Sequence, residues 1–89
     1  MITREGSRLH VEGSVTVDNV KGILAQGLAE IVSGAVEVDL SRLDQSDSST
    51  IGMMLEWKRK KPDLVFSGVK PDLASLARLY GLSGLFPGT

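Results

Sequence analysis

Apolar and polar positions along the chain repeat on two periods, and the switches between them divide it into strands and helices. Ile2–Glu5 and Arg8–Glu12 read as short strands around Gly6-Ser7, a two-residue hairpin signal. Leu9 and Val11 fall on one face of the second strand, Arg8, His10 and Glu12 on the other, which predicts an exposed His10. Gly13-Ser14 breaks the strand, and Val15-Thr16 leads into a helix. Its face is Val17, Val20, Leu24, Leu28 and Ile31. Gly22 and Gly27 lie inside that helix, each costing ~1 kcal/mol against Ala, and Ser33-Gly34 ends it.

Ala35 to Leu40 follows as a strand, with Val36, Val38 and Leu40 alternating against Glu37 and Asp39. Ser41 to Asp47 is a polar connection broken only by Leu43. A second helix starts near Ser48 and runs to about Lys60, with Ile51, Met54, Leu55 and the stem of Lys58 inward, until Pro62 stops it. Leu64-Val65-Phe66 is a short strand. A third helix opens at Pro71-Asp72, where Pro suits the first helical position and Asp the dipole. Leu73, Leu76, Ala77 and Tyr80 form its stripe. Gly81 closes it, with Leu82 placed to fold back on Leu76 in a Schellman-type cap. Leu85 and Phe86 are expected to pack as well.

The predicted order is β-β-α-β-α-β-α, an α/β fold in which helices packed on the sheet join its strands by right-handed crossovers. The sheet is therefore mixed and mainly parallel, with the hairpin at its edge. The 89 residues suit one domain, 1–89, and 42% hydrophobic content argues against disorder. A chain this short buries roughly 60% of the surface its unfolded form exposes, so the core is modest.

Composition removes several classes of function. With no cysteine, thiolate metal sites, disulfides and a cysteine nucleophile are absent, and a lone histidine, His10, excludes a multi-histidine site. No apolar run approaches the ~18–20 residues that span a bilayer. The opening MITREGSRLHVEG lacks the apolar stretch of a signal peptide, so a cytoplasmic location is expected. Residues 1–57 carry 4 Lys/Arg against 9 Asp/Glu, and residues 58–89 carry 6 against 2. That split predicts a bipolar surface that docks to protein, while the net charge of −1 argues against nucleic acid.

Candidate chemistry concentrates in Val36 to Trp57. A strand runs out through Asp39 and Ser41 into a polar loop, and a helix begins at Asp47-Ser48-Ser49. In open α/β sheets function collects at the carboxyl ends of strands. A helix N-terminus there suits an anion or a phosphorylated hydroxyl; equally, Asp47 or Ser48 is an N-cap and nothing else. Met53 and Trp57, four apart on a stripe beside Ser49 and Thr50, read either as a wide buried face or as an exposed interface patch. Joined to the motif below, the interface is expected. The basic run Lys58 to Lys61 complements a helix C-terminus, with an anionic-lipid contact as the other reading. Asp39, Asp44 and Asp47 lack a glycine-bent ligand loop, so no metal is expected. A serine nucleophile has no histidine linked to it by any motif, and no phosphate-cradling glycine loop is present. The reading is a binding module without cofactor, not an enzyme.

Val38-Asp39-Leu40-Ser41 followed by Asp47-Ser48-Ser49-Thr50-Ile51-Gly52 resembles the signature of STAS domains, shared by sulfate transporters and anti-sigma factor antagonists. Glu12-Gly13-Ser14-Val15-Thr16 is similar to that family's strand-to-helix entry. The run Gly68-Val69-Lys70-Pro71-Asp72-Leu73 through Leu76-Ala77-Arg78-Leu79-Tyr80-Gly81-Leu82 resembles the small STAS subunit of bacterial Mla phospholipid-transport ABC complexes. The resemblance implies a STAS-like fold and a non-catalytic cytoplasmic subunit that binds and supports an ABC ATPase, reaching the inner membrane only through that partner. Its second branch implies an anti-sigma factor antagonist in which a partner serine kinase phosphorylates the hydroxyl after the Asp, here Ser48. The chain departs from that pattern at Thr50, where the motif usually has Gly, and a β-branched side chain is expected to crowd a kinase's approach. The docking edge expected from these residues is Asp47, Ser48 and Ser49, extended along the helix by Thr50, Met53 and Trp57.

Overall fold

Strand and helix boundaries follow the turn residues closely in the computed structural model, which describes residues 1–82. The elements are β1 (Ile2–Glu5), β2 (Arg8–Val11), β3 (Gly13–Val15), α1 (Val20–Val32), β4 (Glu37–Asp39), β5 (Leu43–Ser46), α2 (Ser48–Lys60), β6 (Val65–Ser67) and α3 (Pro71–Leu79). The expected order is kept, with β3 and β5 added. The expected packing of Leu85 and Phe86 falls outside the described residues.

The main sheet has the order β1-β2-β4-β6. β1 and β2 are the antiparallel hairpin, turning at Gly6 with a positive φ of 63°, and β2, β4 and β6 pair in parallel. Register places Leu9, Val38 and Phe66 side by side, all buried, so that one face of the sheet carries the core. β3 and β5 form a separate parallel pair that brings buried Val15 and Leu43 to the same core.

Several expected faces are rotated. The buried line of α1 is Ile23, Gly27 and Ile31, with Val20, Leu24 and Leu28 partly covered, and Val17 lies outside the helix, exposed. On α2 the buried set is Thr50, Ile51, Met53, Met54 and Trp57, whereas Leu55 is exposed. The cause is the packing of α2 against α1 as well as the sheet. The Trp57 indole lies on Gly27, where a Cβ would stand 2.1 Å from Cζ2, and its Nε1 donates to the Leu24 carbonyl at 3.0 Å. Val36 on the approach to β4 and Tyr80 at the end of α3 are also exposed, against expectation. Lys58 donates from Nζ to the Leu64 carbonyl at 2.5 Å, and the basic last turn of α2 suits its dipole.

α3 ends as expected. Gly81, φ 70°, donates to the Arg78 carbonyl at 2.9 Å and Leu82 to the Ala77 carbonyl at 2.8 Å, the paired bonds of a Schellman cap.

Candidate functional site

The parallel pairing of β3 with β5 delivers the chain to the start of α2, where a dense capping network fixes the backbone. Asp47 is the N-cap, in an extended conformation, and its Oδ1 accepts from the Ser49 amide at 2.9 Å and from the Ser49 hydroxyl. The Asp47 amide donates to Thr50 Oγ1 at 3.3 Å, closing a capping box with Thr in the place usually taken by Glu or Gln. The Thr50 hydroxyl then donates to the Val15 carbonyl at 3.0 Å, tying α2 to β3. The hydrogen bond from the Ser49 hydroxyl, followed by those from the Ser49, Val17 and Thr50 amides, holds the Asp47 carboxyl below the usual carboxylate range against partial desolvation.

The six expected site residues separate into two groups. Asp47, Ser48 and Ser49 lie together at the helix start, and Ser48 is exposed, its hydroxyl outside the capping network. Thr50, Met53 and Trp57 are no surface extension of them: all three are buried, at 0%, 1% and 0% exposure. An exposed Met/Trp patch is therefore corrected to core. Met53 and Trp57 sit on the arc of α2 turned inward, and Trp57 also satisfies its indole N–H there. The expected crowding by Thr50 is corrected in the same way, because a side chain pointed at Val15 does not stand in the path to Ser48.

What borders Ser48 instead is the opposite arc of α2. An open groove of about 320 Å³ is lined by Ser48, Ile51, Gly52 and Leu55 from α2 and by Tyr80 and Leu82 from the end of α3. Leu55 is 39% exposed and Tyr80 56%. Sequence reasoning assigned Leu55 and Tyr80 to the core and so missed this surface. The available signal was Gly52, which interrupts the apolar positions of α2 where an added Cβ would meet none of the described residues within 4 Å.

The other polar cluster is at the carboxyl end of β4. His10, expected on the surface, is only 4% exposed; its Nδ1 lies 2.8 Å from Asp39 Oδ2 and its Nε2 3.2 Å from Glu5 Oε1. It is buried because β2 is an inner strand whose neighbours supply carboxylates in register or on the diagonal. Asp39 also accepts from the Ser41 amide and hydroxyl at 3.0 and 3.1 Å. Desolvation would raise the Asp39 carboxyl, but the two Ser41 bonds and His10 outweigh it and hold it below its ordinary value. Ser41 bonds the carboxylate and not the imidazole, so the geometry is that of a structural network and not an activated nucleophile. Among the described residues no group of three or more His, Cys, Asp or Glu is arranged to hold a metal, and no helix is long and apolar enough to cross a membrane.

Residues 1–87 match the family described as Mlab, STAS domain. Among solved structures the fold is similar to that of the anti-sigma factor antagonist SpoIIAA in its unphosphorylated form. The TM-score is 0.70 at 19% identity, over 97% of this chain and 84% of that one, a likeness of fold. A search of curated proteins finds no match.

Proposed function

The chain belongs to the MlaB-like STAS domain family, and we propose that it is a non-catalytic subunit that docks on the ATPase of an ABC-type phospholipid transporter and supports that enzyme's activity. In this reading the chain works in the cytoplasm and meets the inner membrane only through its partner. The observation that carries the reading is the exposed Ser48 at the head of an apolar groove that is open among the described residues, on a helix start held rigid by Asp47, Ser49 and Thr50. A fixed polar point beside exposed apolar surface is what an interface needs, since little order remains to be imposed on binding. Asp47 and Ser49 act here by positioning Ser48. Thr50 anchors the same turn from below.

The second reading, an anti-sigma factor antagonist switched by phosphorylation of Ser48, is favoured by one specific feature. With Thr50 buried, the Ser48 hydroxyl is open to a kinase. A phosphate there would place a dianion beside Asp47 and in the docking contact.

Substitution at Ser48 tests the docking site. Ser48→Glu is expected to weaken ATPase binding about tenfold or more by burying a charge in the contact, while Ser48→Ala retains binding. Equal affinities for wild type and Ser48→Glu, measured by titration calorimetry on folded protein, would remove Ser48 from the interface.

A further inference from the structure

We propose that the end of α2 and the adjoining face of α1 form a second docking surface, for an acidic segment of a protein partner that seats an apolar side chain on Leu28 and carboxylates on Arg59 and Lys60. This surface is separate from the Ser48 groove and does not depend on what that groove binds.

Packing of the two helices creates it. Trp57 lays its indole on Gly27 and donates to the Leu24 carbonyl, which brings Leu28 of α1 alongside the outward turn of α2. The result is a shallow hollow of about 260 Å³, lined by Leu28, Glu56, Arg59 and Lys60. Leu28 is only partly buried. Ala25, Ala29 and Val32 lie three or four residues from it along α1, all exposed, and extend its apolar surface.

Four cations follow one another at this end of α2, and their ties within the chain differ. Lys58 gives its ammonium to the Leu64 carbonyl at 2.5 Å, and Lys61 pairs with Asp63 at 3.2 Å. Arg59 meets Glu56 at 2.9 Å, an exposed pair one turn apart and of a kind too weak to exclude a competing carboxylate. Lys60 has no hydrogen bond or ion pair among the described residues. The helix dipole favours any cation in this turn. It does not account for the two with the weakest internal ties being the two that line the hollow.

Charge selects the occupant. From Glu56 to Asp63 the chain carries four cations against two acids, and Glu30, the one acid of α1, is bound to Arg4. A carboxylate is attracted here, and the apolar floor beside it suits a hydrophobic neighbour on the same partner. Ser83 to Thr89 contains no Asp or Glu, so that segment has no side chain to match the cations. An anionic bilayer fits less well, since Glu56 on the rim would be pressed against lipid phosphates.

The test uses the full chain and two synthetic peptides with the same leucine pattern, one flanked by Glu and the other by Lys. Spectra should show the Glu peptide shifting Leu28, Arg59 and Lys60, binding about tenfold tighter than the Lys peptide, with an advantage that shrinks as salt rises. Arg59→Gln combined with Lys60→Gln alters only exposed positions, so the chain should stay folded by circular dichroism and lose that preference. Ser48→Ala should keep it. Equal binding of the two peptides, shifts confined to another face, or a preference that survives the double substitution would overturn the proposal. So would phosphatidylglycerol vesicles shifting the same residues where the Glu peptide does not, which would make the surface a lipid contact. A dimer of the chain alone, seen by sedimentation and broken by the double substitution, would overturn it in favour of a second copy. None of these measurements contains an ATPase, so their failure leaves the Ser48 reading to its own test.

Discussion

Thr50 holds the start of α2 through two bonds, accepting from the Asp47 amide at 3.3 Å and donating to the Val15 carbonyl at 3.0 Å. Beside the motif it looks like an intrusion at a docking edge; in the fold it is a buried strut between Asp47 and Val15. Thr50→Val keeps the shape and removes the hydroxyl, leaving the Val15 carbonyl without that donor and opening the capping box. The expected cost is about 1–2 kcal/mol in urea unfolding. A variant as stable as wild type would show that the hydroxyl bond is not formed. Asp47 and Asp39 allow a pH prediction. Both carboxyls are held low in the folded state, so their contribution is complete above the unfolded value of about 3.9 and is lost as pH falls through the folded values. Stability should decline below about pH 4. Asp47→Asn keeps a good N-cap and should flatten part of that decline, which denaturant titrations at several pH values would reveal.

Elements were legible to the degree that their turn chemistry was strong. The Gly6 hairpin, the Asp47 start and Pro62 stop of α2, the Pro71 start of α3 and the Gly81 cap all come from residues with one dominant local preference. β3 and β5 were not legible, because three or four residues such as Leu43-Asp44-Gln45-Ser46 have no period to read and form only by pairing with each other. The faces of α1 and α2 were misjudged for a related reason. Period alone gives an apolar stripe, but which edge of it is buried depends on the neighbour, and Trp57 against Gly27 turns both helices toward each other. Gly27→Ala tests that packing. Elsewhere in a helix it would stabilise, but here the methyl enters a fully buried indole, and a loss of about 1–3 kcal/mol is expected. A thermal midpoint at or above wild type would show that the ring has room. Trp57→Ala should cost more, about 3–5 kcal/mol, and should appear as unfolding and not as a defect of binding in folded protein.

Across the fold, the Ser48 groove lies along an α2 that Asp47 caps at its start and Lys58, Arg59 and Lys60 close at its end. Of the six cations in residues 58–89, three fall in the last turn of α2, while the acids of residues 1–57 are spread over several elements. Of the candidate site, the head at Asp47-Ser48-Ser49 was legible because a capping motif is local. Its apolar body was not, since Leu55 and Tyr80 differ from core residues only in where the neighbouring helices leave them.

In the proposed function this chain serves a transporter ATPase through the Ser48 face. It is tested most directly by purifying the tagged protein from its native cells, cytoplasm and membranes together, and identifying by mass spectrometry both what co-elutes and the state of Ser48. The expected result is an ABC ATPase with its permease, and Ser48 unmodified. A serine kinase in their place, with phosphate on Ser48, would contradict it and make the domain a partner-switching regulator.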